Sequence, residues 1–250
     1  MKVAGKTAIV TGAAYGIGFA AARKFAEEGA SVVIADIKGH ERAAAELSKC
    51  AGTVVGLYAD VTSDSSVAEL VSETLTRFGS IDVLVNNAAI SAELLPGPFE
   101  SQSVEDWRRV YEVNAIGTFR MCRAVSPHMR ARKWGRIINI ASGTAFKGVP
   151  GLLHYVASKG AILSMTRTLA TEFGSDNVLV NCVSPGFTLT ESVLESQLGA
   201  TYSPQAVATR IIKREAHAVD VANAIYFFAT DEASFITGQT LAADGGSVFH

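Results

Sequence analysis

The chain has 250 residues, 48% of them hydrophobic, enough apolar material for one sizeable core and hence a single domain spanning 1–250. Lys and Arg number 22 against 24 for Asp and Glu with no long block of one sign, which excludes nucleic acid or an anionic membrane surface as the main partner. Cys50, Cys122 and Cys182 are odd in number and far apart, excluding a disulfide frame, and no apolar run reaches membrane-spanning length, so a soluble cytoplasmic protein is expected.

The first strand is expected at Thr7–Val10, followed by Thr11-Gly12-Ala13-Ala14-Tyr15-Gly16-Ile17-Gly18 and a helix over Ile17–Glu28 that stops at Gly29. Glycines at this Gly-x-x-x-Gly-x-Gly spacing remove β-carbons where backbone N–H groups can approach a pyrophosphate, and the helix N-terminus adds a favourable dipole. The plain alternative is a tight strand-to-helix connection. Asp36 follows the second strand, Ser31–Ala35, where a carboxylate can accept hydrogen bonds from both hydroxyls of an adenosine ribose. Its charge would repel a 2′-phosphate, and no cation stands at Ala13, Ala14 or Ile37 to attract one. NAD is therefore expected over NADP, with Lys38 the opposing feature.

A helix near His40–Lys49 and a strand at Thr53–Ala59 lead to Asp60-Val61, whose carboxylate either accepts the adenine amino group or caps the helix Asp64–Phe78. After the strand Ile81–Val85 a long helix is expected over Ser103–Met129, with Pro127 ending or bending it. Asn114, a polar residue among Val113, Ala115 and Ile116, either bridges through water to Lys159 as a proton exit or is a helix-packing amide. Ser142 lies just beyond the strand Gly135–Ile140, at the end of the sheet where open α/β folds place ligands. Its hydroxyl either holds a substrate oxygen or caps a turn. Tyr155 and Lys159 begin the helix Tyr155–Phe173 on one face. A neighbouring ammonium favours the phenolate, and the positive charge of an oxidised nicotinamide adds to it, together lowering the phenol pKa from ~10 toward that of a usable acid or base; the alternative is a surface pair. The strand Val178–Val183, an uncertain segment Thr188–Glu215 that reads as a lid or binding loop, the helix Ala218–Thr230 and the strand Gln239–Ala242 complete the chain. Seven such strands separated by helices imply a doubly wound α/β domain with a parallel sheet covered on both faces.

Taken together, Thr11–Gly18, Asp60-Val61, Asn86-Asn87-Ala88-Ala89, Asn114, Ser142, Tyr155-Val-Ala-Ser-Lys159, Pro185-Gly186 and Thr237-Gly238-Gln239 to Asp244-Gly245-Gly246 resemble the single-domain short-chain dehydrogenase/reductases across essentially the whole chain. The resemblance implies a Rossmann-type seven-stranded sheet and a catalytic tetrad of Asn114, Ser142, Tyr155 and Lys159, with the tyrosine as acid/base. It also implies that Lys159 binds the nicotinamide ribose, that Pro185, Gly186, Thr188 and Thr190 hold the carboxamide, and that Asn87 and Ala88 line the adenosine ribose. Gly12, Tyr15, Gly16, Ile17, Gly18, Asp36, Ile37, Asp60 and Val61 complete the expected cofactor contacts. Two positions depart from the family pattern: Ala89 adds a methyl near the cofactor, and Thr188 replaces an aliphatic residue but keeps its N–H.

The segments expected to wall a substrate pocket are Ile90–Phe99, Gly143–Leu153 and Phe187–Ala216, with Ser142, Thr144, Leu152, Phe187 and Leu194 facing the substrate and Leu94, Leu95, Leu198 and Tyr202 adding apolar surface. Such walls favour a small, mainly apolar secondary alcohol or ketone. His154 is a further candidate polar contact. The other histidines, His40, His128, His217 and His250, have no ligand spacing, so no metal is expected. A 3-oxoacyl thioester is the rival substrate, with Arg130, Arg132, Lys133 and Arg136 as a candidate landing patch for an acidic carrier protein, a solvated charged face being the plainer alternative. A catalytically idle dinucleotide sensor would need Asp36 and the glycines but not the proton relay. The long helices Ser103–Met129 and Tyr155–Phe173, with Val248–His250, resemble family elements that pair across subunits, and a homotetramer is expected.

Overall fold

The computed structural model describes residues 2–91, 94, 96–194 and 197–249, with only the backbone described at 192 and 197–201. Leu95, His250 and the side chain of Leu198 lie outside what is described. The strands are β1 (Thr7–Thr11), β2 (Ser31–Asp36), β3 (Val54–Tyr58), β4 (Val83–Asn86), β5 (Gly135–Ile140), β6 (Val178–Pro185), β7 (Thr188–Leu189), β8 (Ala216–His217) and β9 (Thr240–Ala243). All but β7 and β8 form one seven-stranded parallel sheet in the order β3-β2-β1-β4-β5-β6-β9. The chain reverses its direction of travel between β1 and β4, and such a switch point opens a crevice at the carboxyl ends of the strands.

The helices are α1 (Gly16–Glu27), α2 (His40–Glu46), α3 (Asp64–Phe78), α4 (Val104–Tyr111), α5 (Gly117–Ala131), α6 (Thr144–Lys147), α7 (Leu153–Phe173), α8 (Glu191–Leu194), α9 (Gln197–Thr209) and α10 (Ala218–Ala229). The strands feed both faces of the sheet because successive side chains alternate. Val32 and Ile34 of β2 join Phe25 of α1 and Ile225 of α10 in one buried layer, while Val33 and Ala35 join Leu70 of α3 and Met121 and Val125 of α5 in the other. Burying a side chain such as Phe25 contributes roughly 2–3 kcal/mol. Ser63 caps α3 by accepting the Ser66 N–H at 3.3 Å, and Ser103 caps α4 by accepting the Asp106 N–H at 3.0 Å.

Two expectations need correction, and the expected lid gains fixed ends. The helix expected over Ser103–Met129 is interrupted by a π-helical turn, Glu112–Ile116, with Asn114 at its centre. Pro127 does not end it, because α5 runs on to Ala131 with Val125 and Met129 buried on either side. The segment from Thr188 is stapled at its base, where β7 pairs with β8 through Thr188↔Ala216 and Leu189↔His217. Its far end is fastened to the C-terminal turn, where the Gly245 carbonyl accepts the N–H groups of Ile211 (3.0 Å) and Ile212 (2.9 Å).

The basic residues near the start of β5 are only partly paired. Arg130 and Lys133 share Asp176 and Arg132 meets Asp82 at 2.5 Å, all three cations staying partly exposed, while Arg136 is buried against Trp134. They sit at the amino ends of the strands, the opposite end of the sheet from the crevice. Among the described residues no helix is long and apolar enough to cross a membrane.

Candidate active site

The glycine turn carries β1 into α1 around the switch point. Gly12 and Gly16 take left-handed backbone angles of φ +59° and +58°, which a residue with a β-carbon adopts only with strain. A β-carbon on Gly12 would lie 2.7 Å from Ala88 Cα, and one on Gly18 would lie 2.4 Å from the Gly12 carbonyl oxygen. Asn87 holds the turn from the end of β4, its Nδ2 donating to the carbonyls of Thr11 (3.0 Å) and Gly12 (2.8 Å). The Thr11 hydroxyl in turn accepts the N–H groups of Asn87 and Ala88, each at 3.1 Å. Tyr15 gives α1 no side-chain cap, so the N–H groups of the first turn, which includes Ile17 and Gly18, face the crevice as an anion site. The turn is packed too tightly for a β-carbon at Gly12 or Gly18, and the uncapped N–H groups it presents fit the pyrophosphate of a dinucleotide.

Asp36, at the end of β2, is tied to the same turn: its Oδ2 accepts the Ala14 N–H at 3.1 Å and its Oδ1 the Lys38 N–H at 3.4 Å. Ile37 beside it is 57% exposed and available to an adenine edge. The sequence reading missed Arg42. Its guanidinium lies 4.9 Å over the Tyr15 ring and donates to the Ala14 carbonyl at 3.3 Å. Only the fold reveals this, because Gly39 at φ +72° turns α2 back over the glycine loop. Asp60 does not cap α3, a role that Ser63 takes; its Oδ1 accepts from the N–H (2.8 Å) and hydroxyl (2.7 Å) of Thr62, which fixes the Asp60-Val61 bend.

Ser142, Tyr155 and Lys159 converge at the carboxyl end of β5. Ser142 is buried and accepts from the N–H (3.3 Å) and hydroxyl (3.0 Å) of Thr144. Thr144 thus orients the serine rather than lining open pocket. The serine hydroxyl faces the Tyr155 phenol closely enough to favour its ionised form. Lys159 is 3% exposed and donates from Nζ to the Ile140 carbonyl at 2.8 Å, with Nζ 5.8 Å from the centre of the tyrosine ring. Burial pulls the Lys159 pKa down to about 8, the nearby Cys182 sulfur opposing. The protein's own groups do not lower the tyrosine pKa: burial pushes the phenol up, and the Ser142 hydroxyl offsets this only in part. The lysine is turned toward Ile140, and loss of hydration outweighs its field.

Asn114 is buried, and its amide is committed to packing partners. Its Oδ1 accepts the Ile90 N–H at 2.8 Å, while Nδ2 donates to the Ile90 carbonyl (3.3 Å) and to Ser158 Oγ (3.1 Å). The π-helical turn is what aims this side chain across to the segment after β4, and such turns recur at functional sites. Asn114 therefore positions Ile90 against the helix that carries Tyr155 and Lys159; these direct bonds match the packing-amide alternative. His154 also turns away from the pocket: it is buried beside Trp107, and its Nδ1 accepts the Tyr155 N–H at 2.8 Å.

On the nicotinamide side, the Pro185 carbonyl accepts the Gly143 N–H at 2.9 Å and Gly186 donates its N–H to Ala243 at 3.2 Å. Thr188 is buried, its hydroxyl donating to the Gly186 carbonyl at 2.9 Å. Thr190 Cγ2 would touch a β-carbon on Gly16 at 3.2 Å, which brings this segment against the glycine turn. Ala89 is exposed, so its added methyl meets no obstacle. Phe187 packs on Tyr202, with ring centres 6.3 Å apart, and Leu94 is buried nearby in sequence to Ile90. Leu152 precedes α7, accepting the Val156 N–H at 2.9 Å. Leu194 departs from expectation: it is 65% exposed, because α8 is a single turn lying on the surface.

A family model described as enoyl-(acyl carrier protein) reductase matches residues 12–248. The chain is 36% identical over 250 residues to the 3-oxoacyl-[acyl-carrier-protein] reductase FabG of Thermotoga maritima, covering 99% of this chain and 100% of that protein. It is 37% identical to (2S)-[(R)-hydroxy(phenyl)methyl]succinyl-CoA dehydrogenase subunit BbsD of Thauera aromatica, covering 98% of each. Among solved structures, levodione reductase superposes with a TM-score of 0.91 at 28% identity, covering 97% of both chains. Motif, fold and similarity agree: the chain belongs to the short-chain dehydrogenase/reductases, a family of oxidoreductases that bind a nicotinamide dinucleotide.

Proposed function

We propose that this chain reduces the 3-oxo group of an acyl thioester to the 3-hydroxy group, using NADH as hydride donor. The observation that carries the reading is the convergence of Ser142, Tyr155 and Lys159 at the carboxyl end of β5, where burial keeps the Tyr155 phenol protonated and so able to donate a proton to a developing alkoxide. The dinucleotide, when bound, supplies the hydride. Ser142 holds the substrate oxygen, Tyr155 gives it a proton, and the buried Lys159 ammonium stabilises the resulting phenolate. The thioester class is supported by relatives named for acyl-carrier-protein and coenzyme A thioesters. A small free ketone is the second reading, favoured by the apolar Phe187–Tyr202 pair and by the likeness to levodione reductase.

NAD rather than NADP is supported by the Asp36 carboxylate at the turn, with Arg42 and Lys38 as opposing cations. A homotetramer is supported by Ile116, Phe119 and Leu153, which leave apolar surface exposed on and beside α5 and α7; light scattering at working concentration tests it.

The test of function follows nicotinamide absorbance with acetoacetyl thioesters and with free ketones, each with NADH and NADPH, for the wild type and Tyr155→Phe. The expected result is thioester turnover with NADH, falling roughly 10²- to 10⁴-fold in the variant while NADH binding persists. Turnover of free ketones alone would refute the thioester reading, and turnover with NADPH alone would refute the role given to Asp36.

A further inference from the structure

The first turn of α1 carries no acidic residue and no side-chain cap of its own, although a helix N-terminus favours an anion there. The carboxylate that meets it comes from far along the chain: Glu191 Oε2 accepts the Gly16 N–H at 3.1 Å. Glu191 opens α8 directly after Thr190, whose Cγ2 already stands 3.2 Å from the position of a Gly16 β-carbon. The absence of a side chain at residue 16 thus lets both a dinucleotide and this segment reach the same backbone. Beside the contact lies a cleft of about 640 Å³ bounded by Tyr15, Arg42, Leu189 and His217, into which the carboxylate can withdraw.

We infer that Glu191 is an internal competitor for the pyrophosphate position, a residue that sets dinucleotide affinity by occupying the Gly16 N–H until a phosphate displaces it. The inference rests on the dinucleotide reading of the glycine turn. Binding then costs the Glu191 contact and sets two negative groups side by side unless the side chain moves out. Because Glu191 is the first residue of α8, its displacement couples cofactor arrival to the position of α8.

The test is calorimetric titration of ADP and of adenosine into the wild type, Glu191→Gln and Glu191→Ala. ADP carries the pyrophosphate; adenosine offers the same base and ribose without it. Both variants are expected to bind ADP about three- to tenfold more tightly and adenosine unchanged, with the gain for ADP shrinking at high salt. ADP affinity that is unchanged or weaker in the variants, or an equal gain for adenosine, would overturn the inference. Failure of all three proteins to bind ADP would overturn the dinucleotide reading itself, and this inference with it.

Discussion

Replacing Lys159 with methionine should abolish turnover and stabilise the protein at neutral pH. The side chain is 3% exposed and its pKa falls from 10.5 to about 8 through burial, a depression worth about 3 kcal/mol. That cost is fully present below pH 8, where the lysine is charged in both folded and unfolded chains. Between pH 8 and 10.5 the folded chain releases the proton while the unfolded chain still holds it, so wild-type stability rises with pH across this window. Methionine removes the cost but also the hydrogen bond to the Ile140 carbonyl, a loss of roughly 1–2 kcal/mol. The net expectation at pH 7 is a gain of about 1–2 kcal/mol. Urea unfolding of both proteins at pH 7 and pH 10, at one protomer concentration, reads the difference directly, since all other titrating groups are shared. The advantage of Lys159→Met should shrink by up to about 3 kcal/mol over that range and change sign. A difference that does not vary with pH would refute the assignment of the cost to the buried ammonium.

The thiols give a second expectation. Burial drives the Cys122 pKa to about 12 and that of Cys182 to about 11, while Cys50 is only partly buried. A disulfide exchange reagent should titrate one thiol in the native protein and three after denaturation, and native labelling that survives Cys50→Ser would contradict this. At the glycine turn, Gly18→Ala places a methyl 2.4 Å from the Gly12 carbonyl and 2.5 Å from Asn87 Nδ2. It should cost more than about 2 kcal/mol of stability and weaken NADH binding at least tenfold, measured by fluorescence titration; unchanged binding would show that the turn does not hold the dinucleotide.

The parallel sheet was legible because its strands are short, β-branched and separated by amphipathic helices, and the glycine turn because only glycine tolerates backbone angles such as those of Gly12 and Gly16. Tyr155, Lys159 and Ser142 were legible as a constellation through their placement at the end of a strand and the start of a helix. The details that depend on three-dimensional approach were not. Arg42 reaches Tyr15 only because Gly39 reverses the chain, and Thr144 restrains Ser142 through hydrogen bonds that no spacing announces. The upward push on the tyrosine pKa was hidden for a similar reason: sequence shows that a lysine is close, but not that its ammonium also donates to a carbonyl or how dry the phenol is. Leu194 was misplaced because apolar character alone does not say which side of a one-turn helix meets solvent.

The wide turn at Glu112–Ile116 constrains how this family member can change length. Each residue of an α-helix advances the chain by about 100° around its axis. A five-residue π turn sweeps about the angle of four α-helical residues, so the extra residue is absorbed without rotating α4 against α5. Deleting one residue from the turn would regularise the hydrogen bonding and leave Trp107 beside His154, but it would withdraw the wide backbone that aims the amide at position 114 at both backbone groups of Ile90. A point substitution at Asn114 removes one amide, whereas a single-codon deletion here would remove the geometry that aims it. The irregular turn and the ordered segment after β4 are thus expected to be kept or lost together.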